Sequence, residues 1–284
     1  MDQDPVSPVA FTGAPGAYSQ EAALRFFGSS YPTLTCSSVS DAVAALTGKR
    51  AVHAVLPVEN SITGAFAGVP EAIGTSEVHV LGEVVLPIRH CLLGAPGARL
   101  DDIAVVRSHP TALAQCRDWL ARWGVATRVS ADTAEAAREL AASRDAALGV
   151  IGSASLASMY GLETLAEGVS DHADNRTRFY VLGDGVDAVE ADAPTRCAFL
   201  IGPVDTPRTL KTLRIQLESR GATRTRAPFL GSEDGRLAVV EFDHPSGGGA
   251  GMVAAVCADH RYRYLGSWEP AASGLPAAPP GGGA

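Results

Sequence analysis

Short apolar runs closed by glycine or proline alternate along the chain with segments whose apolar residues return every three or four positions. "PVAFTG" predicts a strand ending in a glycine turn, and "SQEAALRFFG" a helix with Ser19 as its N-cap. Ala22, Ala23, Phe26 and Phe27 fall on that helix's buried side. A second helix is predicted at roughly 39–47, after "CSSVSD", and "AVHAVLPVEN" predicts a strand that stops at Pro57. "IAVVRSHPTALAQCRDWLARWG" reads as strand, turn and one helix, with Leu113, Cys116, Leu120 and Trp123 at helical spacing. "TRVSADTAEAARELAAS" repeats that order, and "AALGVIGS" adds a strand. Strands alternating with helices imply parallel sheets with crossover connections.

The pattern changes after Gly183. "DGVDAVEADAPT" is acidic, small and turn-rich, and reads as a linker. From about Thr195 the order is strand "RCAFLIGPVD", helix "TPRTLKTLRIQLESRG" with Thr206 as N-cap and Pro207 at N1, strands "ATRTRAPFLG" and "RLAVVEFDHP", a short helix "GMVAAVCADH" and a last strand "YRYLGSWEP". That is β-α-β-β-α-β, the ferredoxin-like order. The expected organisation is therefore an α/β domain over residues 8–184, a ferredoxin-like unit over 195–270, and disordered tails at 1–7 and 271–284.

Composition narrows the partners. A net charge of −8 argues against a general nucleic-acid or anionic-membrane partner, both of which need surplus Lys and Arg. Five widely spaced cysteines, never paired as CxxC, fit reduced thiols in the cytoplasm. The start, "MDQDPVSPVA", lacks the basic and apolar regions of a signal peptide, and no apolar stretch reaches the roughly 18 residues of a membrane span. The seven histidines show no ligand spacing, so no metal site is expected.

Four stretches carry candidate chemistry. "GAPGAYSQEA" sets two glycines between a strand and a helix, where backbone N–H groups can approach an anion; taken alone it reads first as an ordinary strand–helix turn. "LPVENSITGAF" places Glu59, Asn60, Ser61 and Thr63 beyond a strand's carboxyl end, where open α/β sheets bind ligands, or else it is a capped turn in which Asn60 or Ser61 starts a helix. In "RSHPTALAQC" Ser108 can cap a helix or donate to a ligand, His109 is a catalytic or a structural residue, and Gln115 lies one to two turns into the helix. In "DTAEAA", Thr133 opens a further helix. Together with Thr177 of "NRTRFYVLG" the hydroxyls and amides among these are neutral donors, accompanied by no nucleophile triad, P-loop or dinucleotide fingerprint. Such a set suits a small polyanion.

"GAPGAYSQEAA", "LPVENSITGAF", "LPIRHCLL", "SHPTALAQCRDWL" and "YGLETLAEGVSDHADNRTRFYVLG" follow one another as they do in the bacterial prephenate dehydratase family, which the chain resembles across residues 9–183. The unit after it resembles that family's ACT domain. The resemblance implies a two-lobed catalytic domain similar to type II periplasmic binding proteins, an active site in the cleft between lobes, a homodimer or homotetramer, and no metal or organic cofactor. The substrate implied is prephenate, which loses carbon dioxide and its ring hydroxyl to give phenylpyruvate. The family's Thr-Arg-Phe triplet assigns assistance of the departing hydroxyl to Thr177, with Asn60, Ser108 and Gln115 at substrate-contacting positions. Ser19, Ser61, Thr133 and Asn175 complete the expected lining; Arg178 either fixes the strand or holds a carboxylate. In an extended strand Asn175, Thr177 and Phe179 share one face, and Arg176 and Arg178 the other. A non-aromatising prephenate decarboxylase, a preference for arogenate, and a non-catalytic sensor of the same build remain as alternatives.

The ACT-like unit departs from its family. "VDTPRTL" stands where "RPGAL" is usual, and Thr225-Arg226-Ala227-Pro228 keeps the arginine and proline of the second motif without its glutamate and serine. Phenylalanine binding there is therefore expected to be weak or absent.

Overall fold

A computed structural model describes residues 7–185, 195–202, 207–230, 237–244, 253, 256–257 and 261–271. Most of the expected linker (186–194), Thr206, nearly all of both tails and nearly all of the helix at "GMVAAVCADH" lie outside these residues. By contact the chain forms two compact units, one of residues 1–12, 22–85 and 177–284, the other of residues 13–21 and 86–176.

The first unit holds two sheets. In one, β1 (Val9–Thr12) lies between β2 (Thr33–Cys36) and β3 (His53–Asn60), all parallel. β11 (Arg176–Gly183) runs antiparallel to β3 and separates it from β5 (His79–Pro87), while the short β4 (Gly64–Ala65) pairs with the end of β3. The helices α2 (Val39–Thr47) and α3 (Val69–Gly74) belong to this unit, as does α1 (Tyr18–Phe27) from Ala22 onward. Helix α2 begins where Ser38 accepts from the Asp41 N–H, and it buries Ala42, Val43, Ala45 and Leu46.

The other sheet of this unit is antiparallel, in the order β13 (Thr223–Leu230), β14 (Ala238–His244), β12 (Thr195–Ile201), β15 (Tyr262–Trp268). Helix α8 (Pro207–Glu218) connects β12 to β13, and Leu213 and Leu217 enter its core with Phe199 and Phe242. A single apolar cluster joins the two sheets: Leu56, Val80, Tyr180 and Leu182 pack with Ala198, Leu200, Val239, Leu265 and Trp268. Tyr180 meets Trp268 edge-on at 5.6 Å. The sheets approach closely at Gly266, whose φ of +147° only glycine adopts readily and where a Cβ would overlap the Val80 carbonyl oxygen.

The second unit is built on the sheet β10 (Glu163–Ala166), β6 (Cys91–Gly94), β9 (Leu148–Gly152), β7 (Val105–Ser108), β8 (Ala126–Val129). β7 runs parallel to both its neighbours, as the strand–helix alternation predicts. The single helix expected after β7 is two, α4 (Pro110–Gln115) and α5 (Arg117–Trp123), broken at Cys116. Asp171 causes the break by accepting from the Asp118 and Trp119 N–H groups, giving α5 its own cap. Helices α6 (Thr133–Ser143) and α7 (Ala154–Tyr160) cover the core around Val150 and Leu93.

The close approach at Gly266 gives a direct test. Gly266→Ala is expected to destabilise the protein by about 3 kcal/mol or more, since strained φ and overlap with backbone add. Chemical denaturation of the two proteins measures it.

Candidate active site

β3 and β11 carry the best-defined group of polar side chains. Their register sets Thr177 opposite Asn60 and Arg178 opposite Glu59, then shifts, because Phe179 faces Pro57 and Val58 is left over as a bulge. Asn60 Nδ2 donates to Thr177 Oγ1 at 2.9 Å, with both residues buried. The orientation of that amide follows from its other end: Asn60 Oδ1 accepts from the N–H groups of Ile62 (3.0 Å) and Thr63 (3.1 Å) and from the Thr63 hydroxyl (3.3 Å). With its carbonyl oxygen holding the turn, Asn60 presents only N–H to Thr177. The threonine oxygen is then an acceptor in this bond, and its own proton is not spent on it.

Asn60 and Ser61 start no helix. Asn60 ends β3 and its side chain closes the following turn, in which Ser61 is half-buried. Arg178 is fully buried and held by carboxylates: Nη1 donates to Glu241 at 2.8 Å and to Glu83 at 3.2 Å, Nη2 to Glu59 at 3.2 Å. Glu241 also accepts from the Tyr180 hydroxyl and, at 2.7 Å, from Arg226 Nε. Arg196 extends the cluster, bonding both oxygens of Glu83 at 2.8 and 3.0 Å and both of Asp243 at 2.7 and 3.1 Å. Burial alone would push the Glu241 carboxyl up, but the charges of Arg178 and Arg226 outweigh it and hold the group at about 2, against an ordinary 4.5.

In the second unit a different group forms. Gln115, the last residue of α4, accepts through Oε1 from His90 Nε2 at 2.9 Å, so Nε2 carries the ring proton. Burial lowers the His90 pKa and favours the neutral ring, and the Tyr18 hydroxyl lies 3.4 Å from Nδ1 while donating to the Arg89 carbonyl at 3.0 Å. Ser108 is not the helix cap. His109 is, its Nδ1 accepting from the Thr111 N–H, and the buried Ser108 hydroxyl donates to the Ile151 carbonyl at 2.7 Å. Ser19 sits inside the first turn of α1, which begins at Tyr18, so it is not an N-cap either. Thr133 is the first helical residue of α6, whose cap is Asp132. Asn175 is buried and its carbonyl accepts from the Ile88 N–H at 2.7 Å. Among the described residues no group of three or more His, Cys, Asp or Glu side chains is placed to hold a metal, and no helix is long and apolar enough to cross a membrane.

Of the sequence candidates, the fold thus pairs Asn60 with Thr177 and sets Ser108, Gln115, Thr133, Asn175 and Ser19 in the other unit. Sequence reasoning assigned no role to His90, Tyr18, Glu83 or Glu241. Glu241 had a visible signal, a lone charge inside the apolar run "LAVVEF".

Two strand–helix sheets and a C-terminal antiparallel sheet with its helix place the chain in the α/β class. The chain belongs to the prephenate dehydratase family, whose model matches residues 9–186. Arogenate dehydratase/prephenate dehydratase 1 of Arabidopsis thaliana is 36% identical over 202 residues, 71% of this chain and 51% of its own. The chain spans about half the length of the curated relatives it matches. Among solved structures, one described as a novel type of quorum-quenching acylase superposes with a TM-score of 0.78 at 27% identity, covering 93% of this chain and 98% of that one. The prephenate dehydratase of Arthrobacter aurescens, solved in complex with L-Phe, shares the fold with a TM-score of 0.79 at 24% identity, covering 96% and 93%.

Glu241 makes the first unit sensitive to acid. A carboxyl held below its unfolded value contributes stability that is complete above about pH 4.5 and is lost as pH falls towards 2. The loss from this group is expected to be on the order of 3 kcal/mol. Denaturant unfolding between pH 6 and the acid limit should show it, and Glu241→Gln should flatten the profile.

Proposed function

We propose that the chain is a dehydratase of prephenate or its aminated analogue arogenate, with Thr177 as the hydrogen-bond donor to the departing ring hydroxyl. In the reaction the bond from ring to carboxylate breaks and its electron pair enters the ring. The C–O bond opposite breaks, and the expelled hydroxide takes a proton and leaves as water beside carbon dioxide. Aromatisation drives these steps, so the protein need only orient the substrate and stabilise the leaving oxygen. The observation that carries this reading is the bond from Asn60 Nδ2 to Thr177 Oγ1. It fixes the hydroxyl through its lone pair, leaves its proton for a ligand, and polarises it as a donor. Gln115, locked through Oε1 on His90, keeps its amide NH2 clear of the ring as a neutral donor for an anionic group. Ser61 is the proposed substrate contact beside the Asn60–Thr177 pair in the first unit; in the second unit Ser19, Ser108, Thr133 and Asn175 are proposed with Gln115, the Ser108 hydroxyl being held by the Ile151 carbonyl. Arg178 is read as the residue that fixes the strand, because its guanidinium is enclosed by carboxylates.

The reading extends to residues 8–184 as the catalytic part and 195–270 as an ACT-like unit used chiefly for homo-oligomer assembly, in the cytoplasm, where the five cysteines stay as thiols. Arg226, the remnant of the effector motif, is turned on Glu241 and lies 3.6 Å from Glu59. Feedback by phenylalanine is therefore expected to be weak: a rate assay with millimolar phenylalanine should show little inhibition, and calorimetry no saturable micromolar binding.

The full-length similarity to an acylase favours a second reading, cleavage of an acyl amide. Against it, burial raises the thiols of Cys91 and Cys116, the latter to about 12, so neither is a ready nucleophile. One panel decides: prephenate, arogenate and an N-acyl homoserine lactone are incubated with enzyme and products are identified by mass spectrometry. Aromatic product from prephenate or arogenate supports the dehydratase; a released fatty acid alone supports the second reading. In the first case Thr177→Ala should lower kcat about 10²–10³-fold, with a smaller change in KM, and Thr177→Ser should retain part of the rate. Wild-type kcat in folded Thr177→Ala removes Thr177 from the mechanism.

A further inference from the structure

Thr177 and Arg178 are neighbours on β11, as Asn60 and Glu59 are on β3, and the register pairs them two by two. Successive side chains of a strand leave opposite faces. One face of this strand pair therefore carries the neutral Asn60–Thr177 bond and the other the charged Glu59–Arg178 bond. Immediately beyond both pairs the ladder is interrupted at Val58, next to Pro57, which has no N–H to donate. The backbone alone therefore restrains this strand end less than an unbroken ladder would.

The side chains supply the missing restraint. Of the three carboxylates on Arg178, Glu59 and Glu83 stand on β3 and β5, the strands flanking β11 in its own sheet, and move with it. Glu241 comes from β14 in the four-stranded sheet, and its bond to Arg178, at 2.8 Å, is the shortest of the three. It is itself fixed by Tyr180 and Arg226, and neither Glu241 nor Arg178 is exposed. We propose that Glu241 is a positioning residue for the Asn60–Thr177 pair: the C-terminal sheet anchors the catalytic strand through Arg178 and so sets where the Thr177 hydroxyl points. This rests on the reading of Thr177 as the donor in the dehydratase reaction.

The test uses the full-length chain as Glu241→Gln, Glu241→Asp and Asp243→Asn. The last breaks the Arg196–Asp243 pair of the same cluster without touching Arg178, and so controls for lost stability. Two readouts are taken: kcat and KM on prephenate, and hydrogen–deuterium exchange over residues 175–183 without substrate. Glu241→Gln is expected to lower kcat about tenfold or more with KM within about threefold, since a small misplacement of a reacting group is enough for that loss. Glu241→Asp should recover part of the rate, and Asp243→Asn should lower the melting temperature while keeping kcat within about threefold. Exchange over 175–183 should rise in Glu241→Gln and not in Asp243→Asn. Folded Glu241→Gln with wild-type kcat and exchange overturns the proposal, as does a loss of kcat in both variants that follows their melting temperatures. If Glu241→Gln does not fold, Glu241→Asp carries the same comparison. Should the wild type act on arogenate alone, the rates are taken on arogenate; should it leave both unchanged, the dehydratase reading falls, and the exchange comparison alone still decides whether Glu241 holds the strand.

Discussion

A guanidinium taken out of water must find anions, and Arg178 has no exposed surface at all. Leaving such a group unpaired costs several kcal/mol, far more than an imperfect apolar contact. The three carboxylates that meet it lie on β3, β5 and β14, at positions 59, 83 and 241. Satisfying one side chain therefore brings together strands distant along the chain, and residues 177–284 fall in one compact unit with residues 22–85. The surrounding apolar cluster supplies area but little direction. The ion cluster supplies direction, because each bond fixes an angle as well as a distance.

The strand pair β3–β11 separates two kinds of chemistry by its pleat. Charges are confined to the face that meets the C-terminal sheet, and the opposite face presents an amide and a hydroxyl. The division matters because an ionised residue beside Thr177 would compete for its proton. Asn60 is suited to the neutral face for a specific reason: one end of its amide is consumed by the turn it closes, so the other can only donate.

Much of this was legible in the sequence. The alternation of strands and helices gave the α/β class, the change after Gly183 gave the second kind of sheet, and the "NRTRF" stretch pointed to Thr177. The failures share a physical cause. Ser19, Ser61 and Ser108 have the composition of caps, but capping depends on where the first turn starts: α1 already begins at Tyr18, no helix starts at Ser61, and His109 caps α4 in place of Ser108. The break at Cys116 needs Asp171, more than fifty residues away, and helical spacing cannot see it. The partners of Arg178 are separated from it by 63 to 119 residues, so the ion pairs that favour a strand anchor over a substrate ligand are visible only in the fold.

Buried ion clusters are weak evidence of stability, since apolar side chains of similar volume often serve as well. That makes their location the informative part. An apolar replacement of Arg178 and its carboxylates could fill the same space between the two sheets, but it would leave β11 free to adjust by the fractions of an ångström that packing tolerates. A hydrogen-bonded donor for a leaving group tolerates far less, because its contribution depends on alignment with charge that appears only during the reaction. On the reading of Thr177 as the donor, a strand interrupted by a bulge beside it has particular need of such a lock. The side chain that provides it is expected where it is found, on the residue next to Thr177, pointing to the opposite face.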